Sequence, residues 1–241
     1  PEPVLMAAPV EEAPEVITNV RPNVETSFNR SVDEPSIASD AYVDPEALVL
    51  GNVVLGAEAF AAPGANIRAD EGTPIFIGGK TNIQDGAVIH ALMTFRRGKL
   101  IEEHMVMVDG QAFAVHIGKE ATIAHGAQVH GPALIGEKTH VGLNAIVFDA
   151  KVGSRVVIEP GAFVMSVVIR DGVVVPAGAV ITNQADADAL TEIPDDYHFG
   201  ALVEKEVAVN EDLAEAYHDA AKKLEASHGA EEGRVATSGG H

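Results

Sequence analysis

Aliphatic residues recur at every sixth position through the middle of the chain, at Ile117, Ile123, Val129, Ile135, Val141 and Val147. A period of six matches neither the 3.6-residue turn of an α-helix nor the two-residue alternation of a lone strand. It marks a hexapeptide parallel β-helix, in which three hexads close one triangular coil. The same register runs upstream through Val43, Val49, Leu55, Ala61, Ile67, Ile77, Ile83 and Ile89, and downstream through Val152, Ile158, Val164, Ile169, Val175 and Ile181. Steps of five at 147–152 and 164–169 are small slips, and residues 68–76 and 90–116 are excursions from the coil. The composition suits a narrow prism: 46% of residues are apolar, only 5% are aromatic, and tryptophan is absent.

The register converts spacing into geometry. A residue that follows an inward position points outward. With the second excursion set aside, Ile89 and Val129 lie one coil apart on one face. His90 and His130 therefore project side by side, about 4.8 Å apart. Arg68 falls one coil below His90 and completes a ladder. His125 lies two residues past Ile123, on the preceding face, above Asp85. A corner separates it from His130 by roughly 10 Å or more. Imidazole–metal bonds are about 2.1 Å long, so one chain can bring His90 and His130 to an ion but not His125. The set of three closes only if a neighbouring copy supplies the third, as three-fold packing of a triangular prism allows. Two stacked histidines alone would read equally well as an interface feature; Arg68, Gln84, Asp85 and His125 in register favour a metal site. His104, His116, His140, His198, His218, His228 and His241 are expected to have no ligand role.

The segments RADEGTPIFIG (68–78), NIQDGAVIHAL (82–92) and IAHGAQVHGPALIG (123–136) resemble those of γ-class carbonic anhydrases, in the expected order. The resemblance covers about residues 35–215. It implies a left-handed parallel β-helix, a homotrimer, and a metal shared between subunits by His90, His125 and His130. Zn²⁺ is the expected ion, with Fe²⁺ or Co²⁺ as alternatives, because imidazole serves all three. Such an ion lowers the pKa of its water towards ~7, and the implied substrate pair is carbon dioxide and bicarbonate. By the same resemblance Glu71 and Gln84 shape the pocket, Asn82 supports it and Asn210 completes it. Arg68 facing Asp85 across the interface is expected to form a structural ion pair. One departure stands out. Where the family's pattern reads His-Ala-Leu-Glu, this chain has His90-Ala91-Leu92-Met93, and methionine cannot carry a proton. Glu71, Glu102, Glu103, His104 or buffer would have to take that role.

The remaining chain fixes the organisation. Residues 1–40 form an acidic, Pro-rich N-terminal segment, flexible to about Glu15 and then extended along the prism. The β-helix spans 41–183, and 184–228 is a C-terminal segment containing an α-helix packed on the prism. Residues 229–241 are expected to be disordered. A short helix is expected over Asp186–Leu190. A longer one runs from Asn210, with Leu213, Ala216, Tyr217, Ala220, Ala221 and Leu224 on its apolar stripe. Asp109-Gly110 signals a hairpin within the second excursion. The formal charge of −20 argues against nucleic-acid binding, and no apolar run approaches the roughly 20 residues of a membrane span. Without cysteine the redox compartment is not reported. The sequence begins at Pro1, which is compatible with a removed leader, and an exported location, periplasmic or extracellular, is expected ahead of a cytoplasmic one. Two rivals remain: a hexapeptide acyltransferase, which needs one histidine rather than a stacked pair, and a non-catalytic scaffold module that binds bicarbonate or carbon dioxide.

Overall fold

The computed structural model describes residues 18–197, 205–220 and 223. Short parallel strands stack into a β-helix with three faces, and each face has one inward row. The first row carries Val49, Ile67, Ile89, Val129, Val147, Val164 and Ile181. The second carries Val43, Ala61, Ile83, Ile123, Val141, Ile158 and Val175. The third carries Leu55, Ile77, Ile117, Ile135, Val152 and Ile169. From Ile67 to Val164 every residue of the first row is fully buried, so the hexad reading of the core is the observed one. A second inward position lies two residues earlier and is usually alanine. Ala65, Ala87, Ala121, Ala127 and Ala145 are buried there, because the prism narrows at its edges and leaves no room for a branched side chain.

The corner between the second and first faces sets the outward direction of two site residues. Gly86 and Gly126 follow Asp85 and His125 and have φ of 67° and 68°. That left-handed backbone suits glycine, and it turns the chain sharply just after each side chain leaves the prism.

The coil begins N-terminal of residue 41. Val20–Arg21 pairs in parallel with Val49 and Leu50, and Ser36–Ile37 pairs with Val54 and Leu55. The second excursion holds a hairpin, Phe95–Arg96 with Lys99–Leu100, then a 3-10 turn over Glu102–His104. The expected Asp109-Gly110 hairpin follows, joining Val106–Val108 to Gln111–Phe113. Both turn residues have positive φ (48° and 79°), the combination a tight two-residue hairpin turn requires.

At the C-terminal end the short helix spans Gln184–Asp188, two residues earlier than expected, because Asn183 caps it by accepting the Asp186 N–H. The longer helix covers 205–220 and so begins before Asn210. Its buried side is Val207 and Ala214, while Leu213 is 38% exposed. Tyr217 stacks on Tyr42 with ring centroids 5.3 Å apart. The apolar stripe is thus rotated from the expected one, since the aromatic pair Tyr42–Phe60 on the prism selects which helix side docks. Ala221 and Leu224 of the expected stripe lie outside the described residues, as do residues 1–17, His198, His228 and the tail 229–241. The helix runs back down the second face. His140 Nδ1 is 2.8 Å from Glu206 near its start, and Lys80 Nζ is 3.2 Å from Glu211 further along. Among the described residues no helix is long and apolar enough to cross a membrane.

Candidate metal centre

The first face presents the ladder that the spacing requires. His90 pairs directly with His130 across adjacent strands, and their rings lie 5.4 Å apart, edge to face. His130 Nδ1 is 3.0 Å from the Gly131 carbonyl. A carbonyl only accepts, so Nδ1 carries the proton and Nε2 keeps its lone pair. Burial pushes the His130 imidazole below its ordinary value, and the nearby charges of His90 and Arg68 act the same way, against the opposing pull of the Gly131 carbonyl. Neutral imidazole is the form that binds metal.

Below the pair, Arg68 Nη2 lies 3.0 Å from His90 Nε2, and its Nε lies 3.3 Å from Asp70. The first excursion bends at Gly72, and two carboxylates converge on the same imidazole: Asp70 at 3.3 Å and Glu71 at 3.5 Å from His90 Nε2. Thr94 ties this loop down by donating both its N–H (2.9 Å) and its hydroxyl (3.1 Å) to the Glu71 carbonyl. Their environments separate the two acids. For Asp70 burial acts upward, but the close contact with His90 and the charge of Arg68 outweigh it and hold the carboxyl below its ordinary range. Burial pushes Glu71 up, and the Asp70 charge adds to it against His90 and Arg68. Asp70 is a site residue that the sequence reading missed. The available signal was its spacing of two from Arg68, which places both on the same side of a strand.

The remaining candidates sit at the next corner. His125 Nδ1 is 3.0 Å from the Asp85 carboxylate, and its side chain is half exposed. Gln84 donates to Asn82 Oδ1 at 3.1 Å, and Asn82 donates to Thr122 Oγ1 at 2.9 Å. A cleft of about 460 Å³ between this corner and the 205–220 helix is lined by Gln84, Asp85, His125, Asn210 and Leu213 among others. Asn210 gives its amide to the Glu206 carbonyl one turn back, at 2.7 Å. The protomer therefore brings together Arg68, Asp70, Glu71, His90 and His130 in one group and Asn82, Gln84, Asp85, His125 and Asn210 in another. It does not join the two groups.

Comparison with known proteins identifies the family. The chain is 46% identical over 203 residues to the carbonic anhydrase of Methanosarcina thermophila, covering 84% of this chain and 82% of that protein. The chain belongs to the γ-class carbonic anhydrase family. It is also 39% identical to the carboxysome assembly protein CcmM of a Nostoc species, over 80% of this chain but only 33% of that protein. A scan against protein-family models returns no match. Among solved structures, a hexapeptide transferase family protein from Anaplasma phagocytophilum (TM-score 0.57, 22% identity, 77% of this chain and 93% of that one) shares the fold. So does an acetyltransferase-like protein from Bacillus cereus (TM-score 0.59, 19% identity, 78% and 93%).

A carbonic anhydrase of this class implies a catalytic metal, and the donor chemistry fits one. His130 has Nδ1 engaged by the Gly131 carbonyl, which fixes the tautomer that leaves Nε2 for an ion, the usual outer support of a metal-binding histidine, and His125 Nδ1 lies 3.0 Å from the Asp85 carboxylate. Asp70, Glu71 and His90 form a second possible donor group within the chain, with ligand atoms all within 4.8 Å of one another. The Arg68 guanidinium lies against that group, with Nη2 3.0 Å from His90 Nε2.

Proposed function

We propose that this chain hydrates carbon dioxide reversibly to bicarbonate and a proton, as a homotrimer with three metal centres between subunits. The observation that carries the reading is the direct His90–His130 pairing together with His125 presenting Nε2 from the next corner. Height along the coil supports the shared site. His125 precedes His130 by five residues, so it sits at a level between the His90 and His130 rungs. Asp85 precedes His90 by the same interval and lies between the Arg68 and His90 rungs. A neighbour related by a three-fold axis along the prism meets this chain at equal height, so His125 reaches the histidine pair as Asp85 reaches Arg68.

The surfaces around the ligands support the same contact. Above His130 the first face continues outward with Phe148 and Met165, and the neighbouring row runs Val88, Gln128, Ile146, Phe163 and Val180, apolar but for Gln128. Val180 is 63% exposed in the protomer. Above His125 the corner carries Leu143, at 44% exposed, and then Pro160. Two apolar strips on different faces, each aligned with one half of the ligand set, are what a heterologous ring interface buries.

When bound, the ion supplies Lewis acidity that makes water nucleophilic near neutral pH. The chain's own residues do the rest. Asn82 fixes the Gln84 amide so that its oxygen faces the cleft, where it can orient a water or the substrate. Glu71, raised by burial, stands beside His90 as a hydrogen-bonding partner for water or bicarbonate. Asn210 and Leu213 close the cleft from the helix. The proposed native ion is zinc, with iron or cobalt accommodated equally by three nitrogens.

The likeness to part of a carboxysome assembly protein is what favours a scaffold reading. The intact histidine set and the match along most of an enzyme's length favour catalysis. Two measurements on protein purified without oxygen decide it: metal content and carbon dioxide hydration. We expect about one ion per chain and hydration abolished by His90→Ala. Fully metallated protein without hydration would sink the enzyme reading. Mixing His90→Ala with His125→Ala subunits tests the shared site, since hybrid trimers regain centres with three intact ligands. Verified hybrids without recovered activity would count against it.

A further inference from the structure

Hydration of carbon dioxide adds water and releases one proton per turnover, and that proton has to reach solvent. Met93, which follows the first ligand segment, is 40% exposed and has no titratable group. The second excursion brings an imidazole back to this point. The Ile101 N–H donates to the Thr94 carbonyl at 2.8 Å, the Glu102–His104 turn follows, and His104 Nδ1 lies 2.7 Å from the Met93 carbonyl. A carbonyl oxygen has no proton to give, so Nδ1 is the protonated nitrogen and Nε2 carries the lone pair. The same turn packs on the strand Gln128–Ile135, which carries His130. An imidazole thus has its tautomer fixed beside the ligand strand while remaining partly open to water.

We propose that His104 is the proton relay of this centre, a role that rests on the hydration activity proposed above. Nε2 takes the released proton through intervening water, forming imidazolium. It then returns the same proton from Nε2 to solvent or buffer, while the Nδ1–H stays on the Met93 carbonyl. No net change remains on the chain. Imidazole suits the task because its charge change ordinarily falls between pH 5 and 8. The titratable and charged groups nearest it in the fold are Glu102 and Glu103 on the turn, Arg96, Arg97 and Lys99 on the hairpin before it, and the neutral imidazole of His130 on the strand beneath. Asp149 and Lys151 lie across the groove that Glu103 lines.

A merely structural clasp would also place His104 against Met93, and two variants separate the roles. In His104→Asn the side-chain amide nitrogen takes the place of Nδ1 and keeps the bond to Met93, but no proton carrier remains. His104→Ala loses both. In the metallated trimer, with a dilute buffer that penetrates poorly, we expect both variants to lower kcat by about 10- to 100-fold, within the range that positioned acid–base groups supply. kcat/KM should hold, and imidazole buffer should restore kcat. In metal-free protein, ¹⁵N shifts of His104 should report the Nδ1–H tautomer. Backbone exchange at Met93 and Thr94 should rise in His104→Ala but not in His104→Asn. Full kcat for His104→Asn in dilute buffer, or an Nε2–H tautomer in the metal-free protein, would overturn the relay and leave hydration standing. Metallated wild type without hydration would overturn both.

Discussion

Asn82 accepts the side-chain amide of Gln84 at 3.1 Å while donating its own to Thr122 at 2.9 Å. Asn82 is 1% exposed and Gln84 8%, so this chain of amides is sealed from water except at its outer end. The direction of donation matters. Gln84 spends its nitrogen inward, and its oxygen is left for the cleft.

Asn82→Ala should therefore do more than Gln84→Ala to the fold and comparable damage to the chemistry. It strands the Thr122 hydroxyl and frees Gln84 to rotate. Leaving a buried polar group without its partner costs about 1–3 kcal/mol, readable in urea titrations, whereas Gln84→Ala should cost less than that. Both should lower kcat/KM. Equal stability of the two variants would place Asn82 outside the support of Gln84.

Gly131→Ala tests the backbone under His130. A Cβ at this position would lie 2.2 Å from the Ala114 carbonyl and 2.9 Å from the Ala91 Cβ, so backbone or packed core has to shift. Gly131 also supplies the carbonyl that fixes the His130 tautomer. The expected outcome is a lower melting temperature with reduced metal occupancy. A stable variant with full metal content would show that the backbone under His130 absorbs the added Cβ without moving the ligand.

The hexads made the core legible because burial in a β-helix repeats with the coil. Each of Ile89, Ile123 and Val129 is placed by counting, and His90, His130 and His125 follow from them. Counting fails where the chain leaves the coil. The approach of Glu71 to His90 comes at the bend that Gly72 makes, and the return of His104 to Met93 depends on a hairpin and a turn within the 90–116 excursion. Neither has a period. The helix stripe departs from expectation for a different reason: amphipathicity marks an apolar side, but the aromatic pair Tyr42–Phe60 on the prism chose Ala214 and Tyr217 over Leu213 and Ala216.

The hairpin Val106–Val108/Gln111–Phe113 gives a pH dependence. His116 lies between Phe76, stacked at 4.8 Å, and Phe113 at 5.1 Å. Burial pushes its imidazole below the ordinary value, and the charge of Asp109 opposes this only in part. The folded state thus binds a proton less readily than the unfolded chain, whose histidine titrates near ~6.5. The contribution to stability is full above that pH and is lost as pH falls through the lower folded value. Melting temperatures followed from pH 8 to 5 should decline on the acid side, and His116→Phe should decline less steeply. Parallel curves would assign the acid loss to other groups.

Arg68 makes its contacts within the protomer to Asp70 and His90, while Asp85 contacts His125. In the proposed trimer Arg68 also faces the neighbour's copy of Asp85. Breaking a buried ion pair by removing one partner costs about 3–5 kcal/mol. Arg68→Ala should then move the monomer–trimer balance towards monomer in sedimentation runs across a dilution series. Adding Asp85→Ala should cost less than the sum of the single changes, as coupled neighbours do. An unchanged profile for Arg68→Ala would argue against the pairing.

Met93 and His104 are joined by one hydrogen bond, so their functional effects should be coupled. If His104 carries the proton, Met93→Glu in an otherwise wild-type chain adds a second carrier beside a working one. kcat in dilute buffer should then change little. In the His104→Asn background the same Met93→Glu replaces the only carrier at this position. There it should recover most of the lost kcat, up to the ~10²-fold that a positioned acid–base group contributes. The carboxylate is introduced three residues past His90, on a segment whose backbone is still held by the side-chain amide that His104→Asn supplies. A double-mutant cycle on kcat, with kcat/KM as the internal control, measures the coupling. Strong non-additivity confined to kcat supports a shared proton path. If Met93→Glu raises kcat equally in both backgrounds, the imidazole is a clasp and the path runs through Met93's position alone.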